Sequence, residues 1–237
     1  MLENYKTHVK ERLEQGIPPL PLNAEQVTEL VELLKSPPSG EEEYILDLIT
    51  NRTPAGVDPA AYVKAAFLTA VAKGETTSPL IDKKHATKLL GTMLGGYNVE
   101  SLIGLLEDPE VGSLAADGLS HTLLMFNAKH DVIELAETNE NAKRVVDSWS
   151  DGEWFTTKPE LPEVIKAIVF RVEGEINTDD LSPAPDAPSR PDIPLHALAM
   201  LKKTMDDPIG TIEKLKESGL PVVFVGDVVG TGSSRKS

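Results

Sequence analysis

Apolar residues recur at helical spacing through the first two thirds of the chain. From Val27 to Leu34 they fall at positions i, i+3, i+4 and i+7, which places them on one face of an α-helix. Asn23 precedes this stretch and Gln26 follows three residues later, a spacing that predicts a capping box at the start of the helix. Two consecutive prolines within residues 35–40 predict its end.

The same pattern predicts several more helices before residue 155. They begin near residues 41, 59, 79, 99, 109, 132 and 140. In the second of these, Asp58 is the expected cap and Pro59 occupies the first turn. Its expected apolar stripe consists of Tyr62, Ala66, Phe67, Ala70 and Val71. Farther along the chain, the residues expected to be buried are Leu119, Leu123, Leu124 and Phe126.

The spacing of these helices suggests a repeat. The first helices of successive pairs begin near residues 24, 59, 99 and 132, about 33–40 residues apart, and stacked helical hairpins repeat at such intervals. Sequence identity between the units is weak, so an irregular helical bundle is the alternative. In either arrangement, short helices with polar outer faces are typical of a scaffold or an interaction surface.

The pattern changes after residue 154, where strands alternate with helices. The predicted elements are a linker at 158–162, a strand at 164–172, a long proline-rich loop at 174–194, helices at 195–203 and 209–218, and a strand at 221–225. The last strand is a continuous apolar run, typical of a strand buried on both faces. Strand, helix and strand in succession indicate a parallel α/β unit. The sequence therefore predicts an α + α/β fold, with a helical repeat domain at residues 1–155 and a partial α/β domain at residues 156–237.

The composition is acidic. Thirty-eight acidic residues against 23 basic ones give a formal charge of −15. Such a field repels phosphate backbones and disfavours generic nucleic-acid binding. Lys83, Lys84 and Lys88 could form a local basic patch, although a solvated helix face is the more common explanation of such a cluster.

Cysteine is absent from the chain. This excludes disulfides, and it excludes any cysteine-ligated zinc ion or iron–sulfur cluster held by this chain alone. The amino-terminal residues lack the apolar core of a signal peptide, and no apolar run approaches the roughly 18 residues of a membrane span. A cytoplasmic protein is therefore expected.

The segment most informative about chemistry is the glycine-rich stretch at residues 226–237, which follows the last predicted strand. Ligands bind at the carboxyl ends of strands in open α/β sheets. The segment matches neither a P-loop nor a dinucleotide-binding fingerprint. Its Gly-Ser-Ser-Arg sequence at residues 232–235 offers hydroxyls, backbone amides and a guanidinium, which suit a carboxylate. One of the serines could act as a base if its alkoxide were stabilised, and a tight structural turn is the alternative for the segment.

Two further polar sites lie in the predicted loop. Residues 177–180 read Asn-Thr-Asp-Asp and can build turns and caps through side-chain bonds to the backbone, so a structural role is a simple interpretation. Arg190 lies between Ser189 and Pro191. On local pattern alone, a lone arginine in a loop is usually solvated.

Five stretches of the chain resemble the bacterial aconitase B family. They are residues 119–126 and 149–155 in the helical domain, and residues 174–186, 189–200 and 226–237 in the second domain. Together the resemblance covers essentially the whole chain. The Gly-Ser-Ser-Arg pattern alone also occurs in isopropylmalate isomerases, but a helical domain in front of the second domain is particular to the B type. The small subunit of an isopropylmalate isomerase is therefore the weaker interpretation.

This resemblance implies a HEAT-like repeat domain at residues 1–155 and part of a substrate-binding, swivelling domain at residues 156–237. Members of the family interconvert citrate and isocitrate through cis-aconitate in the citric acid cycle. A [4Fe–4S] cluster serves them as a Lewis acid, and its ligands are expected outside this chain, which has no cysteine. The chain is accordingly expected to be an amino-terminal fragment of an aconitate hydratase, truncated inside its second domain and inactive alone.

The resemblance also implies roles for individual residues. Ser233 matches the catalytic base of the family, which contacts substrate and removes the proton alpha to a carboxylate. Ser234 and Arg235 match positions that bind a substrate carboxylate, and Arg190 matches an arginine that contacts substrate. The turn at residues 177–180 shapes the swivelling domain near the active site, with no catalytic role assigned. The segment from 202 to 210 looks short beside the family.

For the helical domain, the resemblance implies homodimerisation and mRNA binding linked to iron status. A helical interaction module with these two partners is therefore the alternative function of the chain. No membrane partner is expected.

Overall fold

The chain folds into two compact units. The computed structural model describes residues 1–15, 18–93, 95–122, 125, 128–158, 160–189 and 193–232. One unit is formed by Leu22–Pro159 together with Met1, and the other by Glu160–Ser237 together with Leu2–Pro21. The amino-terminal helix therefore groups with the second half of the chain.

Short α-helices make up the described part of the chain before residue 157. They are α1 (Leu2–Glu14), α2 (Ala24–Lys35), α3 (Glu42–Asn51), α4 (Pro59–Lys73), α5 (Lys83–Gly91), α6 (Val99–Leu105), α7 (Gly112–Ser120), α8 (Ala128–Leu135), α9 (Glu140–Asp151) and α10 (Glu153–Thr156). None of the helices among the described residues is long and apolar enough to cross a membrane.

The start of α2 confirms the predicted capping box. The Asn23 side chain accepts a hydrogen bond from the Gln26 N–H at 2.9 Å, and the Gln26 side chain accepts one from the Asn23 N–H at 2.9 Å. Two of the amides left without intrahelical partners at the helix start are thereby satisfied. The predicted apolar face, which includes Val27 and Leu34, is buried.

The predicted apolar stripe of α4 is partly wrong. Its start is as predicted, because the Asp58 side chain accepts a hydrogen bond from the Ala60 N–H at 2.8 Å. Tyr62, however, is 60% exposed, and Ala66 is exposed as well. The buried residues of this helix are Ala60, Ala61, Lys64, Ala65, Phe67, Leu68, Val71 and Ala72. Helix α4 contacts α2, α5 and α6, and apolar residues on several sides of a helix leave its periodicity ambiguous.

Two other sequence expectations concern α5 and α7. Helix α5 begins later than predicted, because Asp82 caps it by accepting a hydrogen bond from the His85 N–H at 2.7 Å. In α7, Leu119 is fully buried as predicted. The other residues of the set expected to be buried there, Leu123, Leu124 and Phe126, lie outside the described residues.

The helices of the first unit stack on one another. Helices α2, α4, α5, α7 and α9 form a series in which each member contacts the next, and α3, α6 and α8 pack against this series. Helices two apart in sequence contact each other, as in α2 with α4 and α5 with α7. Stacked helical hairpins place their helices in this way.

Two glycines allow α5 and α7 to approach closely. A Cβ built on Gly118 would lie 2.9 Å from the Cα of Gly91 and 3.3 Å from a methyl carbon of Leu102. Because the nearest atom belongs to backbone, a side chain at this position can be accommodated only if the two helices move apart. Gly104 in α6 provides a contrast, since a Cβ there would meet nothing within 4 Å.

Gly118→Ala is therefore expected to lower the free energy of unfolding by about 1–3 kcal/mol, the usual cost of overpacking. Gly104→Ala is the matched control and is expected to be neutral or stabilising by up to about 1 kcal/mol, because alanine restricts the unfolded chain. Urea unfolding followed by far-UV circular dichroism measures both. Equal midpoints for the two variants would contradict the close approach.

The second unit combines parallel strands with short helices. Its further elements are β1 (Ile168–Arg171), β2 (Glu175–Asn177), α11 (Thr178–Leu181), a 3₁₀-helix (Ala184–Ser189), α12 (Ile193–Ala197), α13 (Pro208–Lys216), β3 (Val222–Val225) and β4 (Val228–Thr231). Strand β1 pairs with β3 and β2 with β4, both in parallel. This confirms the predicted α + α/β composition and the parallel strand–helix–strand unit. The loop predicted at 174–194 instead contains β2, α11 and the 3₁₀-helix.

The core of the second unit lies on one side of these strands. Phe170, Ile176 and Ile212 are buried in it, and the ring of Phe224 meets that of Phe170 edge to face at 5.2 Å. Strand β3 alternates between half-buried and exposed residues, with Val223 43% exposed. The expectation that this strand is buried on both faces is therefore wrong for the described residues, because only one face of it carries core partners.

Helix α1 is fixed to the chain that follows it. The hydroxyl of the buried Tyr5 donates to the Leu20 carbonyl at 2.8 Å, and His8 Nε2 accepts from the Leu20 N–H at 3.0 Å. Burial, and secondarily the nearby Arg12 charge, lowers the pKa of His8, while Glu11 acts in the opposite direction. A neutral imidazole fits its role as hydrogen-bond acceptor.

Candidate functional site

The carboxyl ends of β2 and β4 lie side by side. Their parallel pairing places Asn177 opposite Thr231. Helix α11 begins directly after β2, and Gly232, the first residue of the Gly-Ser-Ser-Arg motif, directly follows β4. Asn177 and Gly232, which are 55 residues apart in sequence, thus meet at one edge of the strand pair. In open α/β sheets this is the edge at which ligands bind.

Gly232 touches the start of α11. Its φ is +96°, and a Cβ on it would lie 2.8 Å from Thr178 Oγ1 and 3.4 Å from the Thr178 backbone nitrogen. A residue with a side chain would therefore suffer both an unfavourable backbone angle and a steric clash. Glycine is the residue that permits this approach.

The Asn-Thr-Asp-Asp turn is a reciprocal cap. Asn177 Oδ1 accepts hydrogen bonds from the N–H groups of Asp179 at 2.8 Å and Asp180 at 3.1 Å. In return, Asp180 Oδ2 accepts one from the Asn177 N–H at 2.8 Å, and the Asp180 carbonyl accepts one from the Leu201 N–H at 2.7 Å. This geometry accounts for Asn177 and Asp180 as residues that build the turn.

The strand pair at this edge is preceded by two bends, one between β1 and β2 and one between β3 and β4. The Asp227 N–H donates to the Gly174 carbonyl at 2.9 Å, and the Gly174 N–H donates to Asp227 Oδ2 at 3.0 Å. At Gly226 a Cβ would lie 2.8 Å from Ile176 Cδ1 and 3.2 Å from the Gly174 carbonyl oxygen, so a side chain there would require Ile176 to shift. The pairing then shifts by one residue between Ile176 and Asn177, where β4 carries Gly230 with a φ of +82°. Positive φ in glycine is typical of such a bulge.

Polar contacts tie together the segment that joins α11 to α13. Ser182 Oγ and His196 Nε2 are 2.9 Å apart. Lys202 Nζ donates to Asp186 Oδ2 at 2.5 Å, and the Asp186 side chain is only 5% exposed. These contacts hold the 3₁₀-helix and the residues after α12, which lie on either side of residues 190–192. Sequence analysis did not single out Asp186, Ser182 or Lys202, because nothing in the local pattern predicts contacts between residues 14 and 16 positions apart.

The residues with implied substrate roles lie outside the described part of the chain. This holds for Arg190, Ser233, Ser234 and Arg235. The structure describes the 3₁₀-helix that ends before Arg190 and the Gly232 backbone that precedes Ser233. Their roles therefore stay predictions, while the elements that lead into them are defined.

The chain offers no set of iron–sulfur ligands. It has no cysteine, and the described residues contain no group of three or more His, Cys, Asp or Glu side chains placed to hold a metal ion. Thiolates are the usual protein ligands of a [4Fe–4S] cluster. The residues that the structure describes therefore do not fit the cluster that the family resemblance implies.

Two family models match the chain. The model described as Aconitate B N-terminal domain matches residues 4–155, and the one described as Aconitate hydratase 2 N-terminus matches residues 167–237. The two matches cover the two parts in which sequence analysis placed helical and α/β structure.

Similar proteins are named Aconitate hydratase B. The chain is 63% identical over 248 aligned positions to that of Pseudomonas aeruginosa, 61% over 239 to that of Synechocystis sp., and 58% over 248 to that of Escherichia coli. Each alignment covers 100% of this chain. The chain spans about 28–29% of the length of these relatives. It belongs to the aconitase B family, through the amino-terminal domains that the two models describe.

Proposed function

We propose that the chain is the amino-terminal part of an aconitate hydratase, a hydro-lyase that interconverts citrate and isocitrate through cis-aconitate in the citric acid cycle. The observation that supports this proposal is the contact of Gly232, the residue before Ser233, with Thr178 at the carboxyl edge of a parallel strand pair. The relatives named Aconitate hydratase B support the same reaction.

In this proposal the motif supplies both binding and proton transfer. Arg190 and Arg235 bind substrate carboxylates, because a guanidinium presents two parallel N–H donors to the two oxygens. Ser234 adds a hydroxyl donor. Ser233 also contacts substrate, and its Oγ, as an alkoxide, accepts the proton from the carbon alpha to a carboxylate. Gly232, directly before it, lets the backbone approach the start of α11.

We further propose that the iron–sulfur cluster is held entirely by residues outside this chain. The cluster would supply Lewis-acid chemistry to the substrate hydroxyl and carboxylate. Since the 237 residues contain no cysteine, this chain alone is expected to be inactive. In the full-length enzyme, this chain supplies the HEAT-like domain and, from about residue 156, part of the swivelling domain. The enzyme is expected to be cytoplasmic.

The test is hydratase activity after anaerobic iron–sulfur reconstitution of the full-length protein, followed through cis-aconitate absorbance with citrate or isocitrate. The 237-residue chain is the control. Activity of the full-length protein alone is the expected result. An intact cluster without turnover of either substrate would contradict the proposed reaction.

A second candidate function is a helical interaction module that mediates homodimerisation and iron-linked mRNA binding. The stacking of α2 to α9 favours it, because such stacks present extended surfaces to partners. Sedimentation of the chain over a range of concentrations tests self-association. A strict monomer at high concentration, with and without iron, would count against dimerisation.

The proposed site yields a prediction that separates contact from backbone strain. Gly230 and Gly232 both have positive φ, but a Cβ on Gly230 would meet nothing within 4 Å. Gly232→Ala in the full-length enzyme is expected to lower kcat/KM at least about tenfold more than Gly230→Ala, because displacement of a catalytic segment by about 1 Å can cost on the order of 10²-fold. Steady-state kinetics at matched cluster content measure the difference. Equal losses of kcat/KM in the two variants would show that the contact between Gly232 and Thr178 does not position the catalytic segment.

A further inference from the structure

A groove of about 500 Å³ lies on the surface of the helical unit. Small side chains of α4, among them Ala66 and Ala70, line it on one side. Tyr62 and Tyr97 line it as well, together with the carboxylate residues Glu75 and Glu100. The groove is thus a shallow site with aromatic and acidic components.

The two tyrosines are held together but remain open to solvent. Their rings meet edge to face at 77°, with centroids 5.1 Å apart. Tyr62 is 60% exposed and Tyr97 is 40% exposed. Aromatic rings of this size are usually covered in the folded state, and exposed pairs are typical of binding surfaces.

The groove is formed by fixed backbone. Gly96, directly before Tyr97, has a φ of +81°, and a Cβ on it would lie 2.5 Å from the Gly56 carbonyl oxygen. On the other side, Thr69 Oγ1 of α4 donates to Ser101 Oγ of α6 at 2.7 Å. A ligand would therefore meet a surface that is already ordered, which lowers the entropic cost of binding.

The charge of the groove selects a cation. Glu75 and Glu100 are exposed, and neither forms an ion pair with a residue that the structure describes. Within the described part of the chain, no lysine or arginine lines the groove. The net charge of −15 adds to the same field. Cations bind the faces of tyrosine rings, whereas two carboxylates would repel the phosphates of RNA.

We propose that this groove binds an arginine-bearing, extended segment of a partner protein. The guanidinium plane lies against the face of one of the two tyrosine rings, and its N–H groups pair with Glu75 or Glu100. Arginine fits better than lysine, because its flat and weakly hydrated head combines ring stacking with directional hydrogen bonds. This binding site is separate from the strand edge at Asn177 and does not depend on catalysis.

The test uses the 237-residue chain and a short fluorescein-labelled peptide of alternating glycine and arginine. Fluorescence anisotropy is measured at low and at physiological ionic strength. A peptide with citrulline in place of arginine keeps the shape and removes the charge. A labelled single-stranded RNA is the third ligand.

Two double variants address the two components of the groove. Glu75→Gln/Glu100→Gln removes its charge, and Tyr62→Leu/Tyr97→Leu removes its rings. Glu110→Gln/Glu137→Gln is the matched control, because it removes the same charge from exposed positions outside the groove. Thermal unfolding followed by circular dichroism establishes that each variant is folded.

The arginine peptide is expected to bind, and each groove variant to weaken it about tenfold. The control variant changes binding less than about twofold, and the citrulline peptide binds as weakly as the groove variants bind arginine. Three outcomes would overturn the proposal: no binding of the arginine peptide, equal binding in groove and control variants, or binding of RNA in preference to the peptide. The last would assign the groove to nucleic acid.

Discussion

Replacing Ser233 by alanine in the full-length enzyme is expected to lower kcat by roughly 10²–10⁴-fold, the usual contribution of a positioned general base. The substitution removes the oxygen that accepts the proton from the carbon alpha to the carboxylate. Binding of citrate through Arg190 and Arg235 is retained, so KM is expected to change little. Steady-state kinetics in both reaction directions measure this separation of kcat from KM.

Ser234→Ala is the matched comparison, since it removes a hydroxyl from the neighbouring residue. Its expected effect is mainly a higher KM, because this hydroxyl binds substrate in both the ground state and the transition state. Iron and sulfide content must be equal in both variants, so that a fall in kcat caused by loss of the cluster is not mistaken for loss of the catalytic base. Full turnover by the Ser233→Ala enzyme with an intact cluster would show that another group takes the proton.

Local features of the fold could be predicted from sequence because their partners are close in the chain. The Asn23 cap depends on Gln26, which is only three residues away. Likewise, Asp58 and Pro59 set the start of α4 by themselves. The parallel pairing of β1 with β3 is predicted by another sequence feature, because helical segments separate the two apolar runs that form these strands.

Packing around α4 could not be predicted in the same way. The sequence places apolar residues on several sides of this helix, and only contacts with α2, α5 and α6 decide which side is covered. The apolar stripe predicts that Tyr62 is buried. In the structure it is exposed, and its ring lies beside that of Tyr97, which precedes α6. Secondary-structure propensity depends on residue type and cannot predict a contact between residues that are distant in sequence.

In the candidate site, too, residue types could be predicted from the sequence but long-range contacts could not. The sequence of Gly232 to Arg235 predicts anion chemistry from residue types alone. The position of Gly232 beside Asn177 depends on a strand register that is set by the bends at Gly174 and Asp227 and by the bulge at Gly230. An insertion or deletion of one residue in either strand would turn every side chain after it to the other face. No short motif encodes the number of residues in a strand.

Lys202→Met is expected to destabilise the second unit by about 3 kcal/mol, near the lower end of the cost of breaking a buried ion pair. Lys202 Nζ lies 2.5 Å from Asp186 Oδ2, and the two side chains are 16% and 5% exposed. Removing the ammonium deletes this ion pair of the buried Asp186 carboxylate, whereas methionine preserves most of the apolar stem. Lys203→Met is the matched control, because Lys203 is the neighbouring residue and is exposed.

Hydrogen exchange measured by mass spectrometry can localise this effect to the second unit. A loss of about 3 kcal/mol raises the exchange rate of the β1 and β3 amides by on the order of 10²-fold when exchange requires global opening. The double variant Asp186→Asn/Lys202→Met is expected to recover part of the loss, since it also removes the carboxylate charge that the ammonium had balanced. If the β1 and β3 amides exchange at the same rate in the Lys202→Met and Lys203→Met variants, the ion pair contributes nothing to the stability of the second unit. If only the single Lys202→Met variant opens, the 3₁₀-helix that leads into Arg190 is held in place by charge rather than by packing.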